Sequence, residues 1–524
     1  MTTVNISRRP VRPAVILLLA CLASFAINLD TTIVNVALPD LSRSLGAGTT
    51  DLQWIVDAYN LAFAGLVLGA GSLGDRFGRR PLLIVGLLGF SVASGVGACW
   101  DSPGPLIATR LVMGIFAAMV FPTTLSVITN AFPDRAQRAK AIGVWGAVVG
   151  VAVAVGPVTG GLLLEHFWWG SVFLALVPLS ALTAVLAWLL VPESRDPGAP
   201  AIDVGGVLAA CATVGTLVYT IIEAPQRGWS DALTLAGFAA TAALAAVFVG
   251  IERRVANPML DMTVFRTPAF SAASMSVTIA FFALFGFIFL VTQFFQFLRG
   301  YGPLSTGLRI LPVAGSIALG AGAGPALVAR FGTRAVVMTG LFSLGSSFGW
   351  IALSPADMSY RVIVAQMLLM GLGLGLTQVP ATESILSVLP AAKAGVGSAV
   401  NDATREAGGT LGVAVVGSVF ASIFASQISS SGLARLPGGL PDGASSSVAV
   451  AFAAARRAGG GALELAVQDA FMDAFHLGCA VAFGVCWLGA LAAVALPGRG
   501  TAEAASRTSP SSDATVATIT PVRS

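Results

Sequence analysis

The sequence predicts an all-α polytopic membrane protein with about fourteen membrane-spanning helices. Three observations carry that prediction. Apolar residues make up 56% of the 524 residues and charged residues only 10%, against roughly 25% charged in an ordinary soluble chain. The apolar residues lie in long unbroken runs of the ~20 residues a helix needs to cross a bilayer, where a transmembrane barrel would show short alternating segments. Two long polar breaks divide the runs into groups of six, two and six.

The elements follow in order. Residues 1–13 form a cytoplasmic N-terminal tail carrying Arg8, Arg9 and Arg12. The apolar run from Ala14 to Leu38 outlasts the 7–15 residues of a signal peptide's apolar core. It therefore reads as a span, interrupted by Asn28, Asp30 and Asn35. Spans at about 52–73, 82–100, 104–129, 140–164 and 170–191 complete an N-terminal six-helix bundle over 14–191. The break 192–203 contains prolines and ends it. An inserted helix pair occupies 204–251, and the charged segment from Glu252 to Arg266 closes that pair. A C-terminal six-helix bundle covers 268–496, with spans at about 268–298, 305–329, 334–353, 358–386, 396–426 and 473–496. Its loop 427–470 is predicted to be extracytoplasmic, with a surface helix in its second half. The tail 497–524 is rich in Ser, Thr, Ala and Pro and reads as a disordered cytoplasmic tail.

The charge balance of +4 has a topological origin. Arg76, Arg79, Arg80, Arg135, Arg138, Lys140, Arg253, Arg254, Arg330, Arg334 and Lys393 all fall on the side of the N-terminus. That bias predicts both termini in the cytoplasm and a multi-pass protein of the plasma membrane, the inner membrane of a bacterium. It gives no reason to expect nucleic acid as a partner; membrane lipid is the expected surrounding. Five scattered cysteines show no metal spacing, and neither His166 nor His476 sits in a zinc motif. Lys140 and Lys393 follow no phosphate-binding loop, and no nucleophile–base constellation appears. The expectation is no enzyme, no metal and no cofactor.

Charges inside spans are costly and mark function by default. Asp30, Asp57, Arg110, Glu383, Asp402, Arg405 and Glu406 qualify. At ~1.5 Å rise per residue, Asp30, Asp57 and Arg110 fall at similar depth in the outer half of the membrane. Arg110 has either carboxylate within reach. Three charges of two signs leave one carboxylate unpaired. A structural ion pair is one reading. The favoured reading is a proton-coupling site, because burial and a nearby Arg push a carboxyl's proton affinity in opposite directions. Asp402, Arg405 and Glu406 share a helix face, with Glu383 near the end of the preceding span. They form a second charge cluster, self-neutralising or gating.

Span 140–164 holds Gly143, Gly146, Gly150, Gly156, Pro157, Gly160 and Gly161. Such density permits close helix approach or hinging, and span 305–329 repeats it with Gly315, Gly320, Gly322 and Gly324. Gly371, Gly373 and Gly375 lie inside an apolar span with no preceding strand, which excludes a dinucleotide loop. Phenylalanines surround span 268–298, so lipid contact is expected for most. Phe281 and Phe285, with Gln293, Gln296 and Tyr59, are candidate substrate contacts.

These residues resemble the major facilitator superfamily, and within it the fourteen-helix drug:proton antiporters. Gly71 to Arg80, with the core Gly74-Asp75-Arg76-Phe77-Gly78-Arg79-Arg80, is similar to the superfamily's loop between helices 2 and 3. Arg110 to Gly114 resembles its helix-4 motif, and Gly156-Pro157-Val158-Thr159-Gly160-Gly161 the antiporter motif of helix 5. Leu29 to Pro39 resembles the helix-1 motif of the fourteen-helix family. Gln53 to Tyr59 and Asn401 to Gly409 resemble exporters of quaternary ammonium compounds and dyes. The second copy of the loop motif, Ala329 to Arg334, lacks the acid. The resemblance implies the major facilitator fold: two six-helix bundles with two extra helices and alternating access. It also implies that Asp75, Arg76, Arg79 and Arg80 gate by bridging the bundles. The expected function is proton-driven export of lipophilic, often cationic, compounds by a monomer. A dedicated metabolite exporter, and a membrane sensor or channel, are the alternatives.

Overall fold

The computed structural model describes residues 12–195, 203–255, 258, 260, 262–388, 394–432 and 440–498. The tail residues 1–11 and 499–524, with Lys393, lie outside them. Sixteen α-helices and no strand occur among the described residues. They are α1 Pro13–Leu45, α2 Thr49–Phe77, α3 Arg79–Gly97, α4 Pro103–Ala131, α5 Arg135–His166, α6 Ser171–Leu174, α7 Leu176–Leu190, α8 Val204–Arg227 and α9 Ala232–Glu252. After the connection come α10 Pro268–Gln293, α11 Pro303–Phe331, α12 Thr333–Ala352, α13 Tyr360–Val388, α14 Ala394–Ser430, α15 Val448–Arg457 and α16 Ala462–Ala492.

Fourteen of these segments are long and apolar enough to cross a membrane, counting α6 and α7 as one. The break between α6 and α7 has a local cause. Pro178 has no N–H to offer the carbonyl of Leu174, four residues back, so the helix interrupts at Ala175. Successive spans run in alternate directions, so α1 begins and α16 ends on one face, here called the N-terminal face. The surface helix expected in loop 427–470 is α15. The last span starts eleven residues before the sequence suggests, because polar Glu464 and Asp469 leave no stop signal in a good helix former.

Two glycines fix matching turns. Gly78 between α2 and α3, and Gly332 between α11 and α12, take φ of 110° and 83°, which only glycine adopts without strain. Each turn sends an arginine onto the end of the last helix of its own bundle. Arg80 Nη2 donates to the carbonyl of Trp188, and Arg334 Nε donates to that of Leu496 at 2.9 Å. A cation suits the orphaned carbonyls of a helix C-terminus.

The bundles touch through α1 with α10, α2 with α14, and α5 with α11. These contacts gather at the face opposite the N-terminal one. Gln53 Nε2 of α2 donates to the carbonyls of Val413 and Ala414 and to Ser418 Oγ at 3.0–3.2 Å. Gln296 Nε2 donates to the Val36 carbonyl at 2.9 Å. On α5, a Cβ at Gly161 would lie 2.6 Å from Leu304 of α11, so only glycine permits this approach. Residues 440–447 fasten the same face: Thr49 N donates to the Ser446 carbonyl at 2.7 Å, and Ser42 Oγ meets Ser447 Oγ at 3.2 Å.

Toward the N-terminal face the same helices part. Gly143, Gly146 and Gly150 of α5 and Gly315 and Gly322 of α11 have nothing within 4 Å of where a Cβ would stand. The space between the bundles therefore opens on that face. The inserted α8 lies on α2 and α14, and α9 lies outside it, with only Thr234 and Glu252 buried.

The phenylalanines of span 268–298 correct an expectation. Phe281, Phe282, Phe285, Phe287, Phe289, Phe294 and Phe295 are all buried in protein. Their span packs against α1, α13, α14 and α16 at once, which leaves little of it, chiefly Met275, open to the surroundings.

Candidate functional site

The site starts from three helices that the apolar pattern alone would bury. α1, α2 and α4 pack together because small residues face one another: a Cβ on Gly114 of α4 would clash with the backbone of Tyr59 on α2. That approach sets Arg110, one turn before Gly114, against both neighbours. Arg110 Nη1 donates to Asp30 Oδ2 at 2.5 Å, and both side chains are almost wholly sealed, with 1% and 0% exposure. Arg110 Nε donates to the Ile55 carbonyl at 2.9 Å. The Tyr59 ring covers the guanidinium at 4.4 Å, and its hydroxyl donates to the Ile27 carbonyl at 3.3 Å. Of the two carboxylates considered from the sequence, Arg110 pairs with Asp30.

Asp57 is the one left over. It is fully buried, and neither carboxyl oxygen has a hydrogen-bond partner. Asp30 Oδ1 and Asn60 Nδ2 are likewise unpartnered. Asp57 lies one turn past Gln53 and one before Asn60, on the α2 face turned to α14. A carboxylate charge there, without a cation, costs several kcal/mol. The arrangement therefore gives Asp30 a counter-charge in Arg110 and leaves Asp57 with none.

The other predicted residues distribute as follows. Asp75 pairs with Arg79 inside the α2–α3 turn, Nη2 to Oδ1 at 2.8 Å. Arg79 N donates to the Ser194 carbonyl at 2.9 Å, and Arg76 lies over Phe77. Together with Arg80 on Trp188, the contacts described for this motif reach only the N-terminal bundle and the segment that directly follows it. Among the described residues no contact joins this motif to the C-terminal bundle, from which it stands apart on this face. Gly156 and Gly160 receive Thr32 and Ile33 of α1, and Pro157 and Gly161 receive Gly307, Pro303 and Leu304 of α11. They make a packing face in this state.

The second cluster is smaller than expected. Arg405 lies 3.9 Å from Asp402 and 4.6 Å from the centre of the Phe281 ring. Glu406 is half-buried on the same helix. Glu383 is exposed on α13 and joins no described ion pair with them; its neighbour Thr382 is what ties α13 to α14, through Asn401 at 2.8 Å. Glu383 sits one position round the helix from that contact face.

The residues named as candidate substrate contacts are placed as follows. Tyr59 is spent on Arg110 and Ile27. Phe281 and Phe285 are buried under Arg405 and Gly409. Gln293 donates to its own Phe289 carbonyl. Gln296 clamps the two bundles through the Val36 carbonyl. Four features had no reading in the sequence: the Gln53 clasp, the Ser42–Ser447 and Thr49–Ser446 contacts, and the wide π turn Phe294–Leu298 that aims Gln296 at α1. The signal for Gln53 was available, a polar amide in an apolar span on the face of Asp57.

Two helical bundles closed at one face around buried charge, and parted at the other, have the build of a secondary transporter. The family model of the Major Facilitator Superfamily matches residues 20–413. The multidrug resistance protein Stp of Mycobacterium tuberculosis is 37% identical over 396 residues, 76% of this chain and 74% of Stp. The multidrug efflux pump LfrA of Mycolicibacterium smegmatis is 36% identical over 416 residues, 79% and 82% of the two chains. The tetracenomycin C resistance and export protein of Streptomyces glaucescens is 34% identical over 78% and 76%. The fold matches the crystal structure of a bacterial homologue of the human lysosomal transporter Spinster, with TM-score 0.65 at 17% identity over 93% of this chain and 98% of that one. The chain belongs to the Major Facilitator Superfamily, and within it to the fourteen-helix drug:proton antiporters.

Proposed function

We propose that this protein exports lipophilic, often cationic, compounds from the cytoplasm or inner leaflet in exchange for protons. The observation that carries the reading is a sealed Asp30–Arg110 pair together with a buried, partnerless Asp57 on the next helix. The relatives named for multidrug resistance and efflux support the cargo class. The excess of Arg and Lys on the N-terminal face supports a cytoplasmic position for that face. In that orientation the structure is open to the cytoplasm and shut outside.

The cycle follows from the charges. Protons reach Asp30 and Asp57 when the outer contacts part. Neutral Asp30 releases Arg110, and the loss of that bond lets the bundles rock. The membrane potential contributes ~2.3 kcal/mol per charge per 100 mV. One proton against one monovalent cation is electroneutral, whereas two protons draw on the potential as well. The protein acts as a monomer without a cofactor, driven by the proton gradient.

The test is dye efflux from whole cells, with and without an uncoupler, for the native protein, Asp30→Asn and Asp57→Asn. Uncoupler-sensitive efflux that both variants lose is the expected result. Undiminished efflux in both variants removes the proton role. A second reading, export of one particular metabolite, is favoured by the relative named for tetracenomycin C export. Protection against a panel of unrelated cations separates the two.

A further inference from the structure

The inserted helix pair carries a second charged feature, far along the chain from the Asp30–Arg110 site. Asp203 caps the start of α8, its Oδ1 accepting from Gly206 N at 2.8 Å. Glu252 ends α9, and its Oε2 accepts from Leu260 N at 3.0 Å. Each carboxylate thus spends one oxygen on backbone. The remaining oxygens, Asp203 Oδ2 and Glu252 Oε1, are buried and unpartnered. Glu252 is only 3% exposed.

These two oxygens converge. Each lies 2.6 Å from the point a Cβ on Gly206 would occupy, so they stand at most twice that distance apart. Any residue but glycine at 206 would fill the pocket between them. No described ion pair includes either acid. The N-terminus of α8 supplies only about half a positive charge, against two carboxylates. Hard cations are held by one or two carboxylates, with water or backbone oxygens completing the shell.

We propose that Asp203 and Glu252 form a binding site for a divalent cation, Mg2+ or Ca2+, which pins the start of α8 to the end of α9. Through Leu260 the same site ties down the connection into α10. Its role is to hold the inserted pair as a unit while the bundles move. This inference does not depend on the cargo or on proton coupling.

The experiment uses the full-length protein in detergent, stripped with a chelator, and follows thermal unfolding as MgCl2 or CaCl2 is added at constant ionic strength. The expected result is a saturable rise in Tm of ~2–4 °C, absent in D203N and in E252Q. E252Q keeps an oxygen for Leu260 N, and each change is isosteric, so both variants fold. An unresponsive native protein overturns the site, as does a rise that persists in both variants. A native Tm that follows pH but not the cations, and loses that dependence in E252Q, assigns the pair a shared proton and overturns the cation.

Discussion

Replacing Asp30 by Asn tests the Arg110 pair most directly. The substitution preserves shape and removes one charge. Arg110 then keeps the Ile55 carbonyl at 2.9 Å and the Tyr59 ring at 4.4 Å, but its guanidinium, 1% exposed, has no anion. The ring interaction is worth about 2 kcal/mol or somewhat more when desolvated, and it supplies no counter-charge. Removing one partner of a buried pair costs ~3–5 kcal/mol, because a charge is stranded. Asp30→Asn is therefore expected to lose that amount in denaturant unfolding in one fixed detergent. Arg110→Gln is expected to cost a similar amount. The double variant strands no charge, so a coupling of ~2–3 kcal/mol should appear in the cycle. A single variant costing under ~1 kcal/mol, or a double variant costing the sum of the singles, would refute the reasoning.

Asp57→Asn should cost less than a third of the Asp30→Asn loss, since no partner is stranded, while abolishing uncoupler-sensitive efflux; unfolding and dye efflux on one preparation check both. Ser42→Cys with Ser447→Cys, in a Cys99→Ser background to remove the exposed thiol, should form a cross-link that arrests transport until reductant is added, because those hydroxyls sit 3.2 Å apart in this state, with the face opposite the N-terminal one shut. Unimpaired transport by the oxidised protein would disprove that closure. Gly161→Ala should destabilise the protein, since its Cβ would meet Leu304 at 2.6 Å. Gly146→Ala should leave Tm within about 1 °C, since its Cβ would meet open space. If the parted stripes meet in the outward-open state, Gly146→Ala slows efflux all the same, which an initial-rate assay measures.

Much of this protein was legible in its sequence. Hydrophobic run length determined the fourteen spans, since a helix must cover the hydrocarbon and satisfy its own backbone. The cost of charge in lipid singled out Asp30, Asp57 and Arg110, and the count of signs required one carboxylate to go unpaired. The glycines of α5 announced a close approach without naming the partner. What the chain order could not specify was any relation between helices distant in sequence. That Arg110 chooses Asp30 depends on how deeply α4 sinks against α2 at Gly114. That the phenylalanines of α10 meet protein depends on its central place among four helices, a matter of three-dimensional neighbours. Glu383, adjacent to a contact residue, points out because a single position turns a helix by 100°. Arg80 caps a helix of its own bundle and Arg79 stays with Asp75, because the other bundle is out of reach on the open face. Periodicity and burial cost act along the chain and are written there. Pairing, closure and the choice between equivalent partners arise from packing between segments hundreds of residues apart, and only the folded bundle decides them.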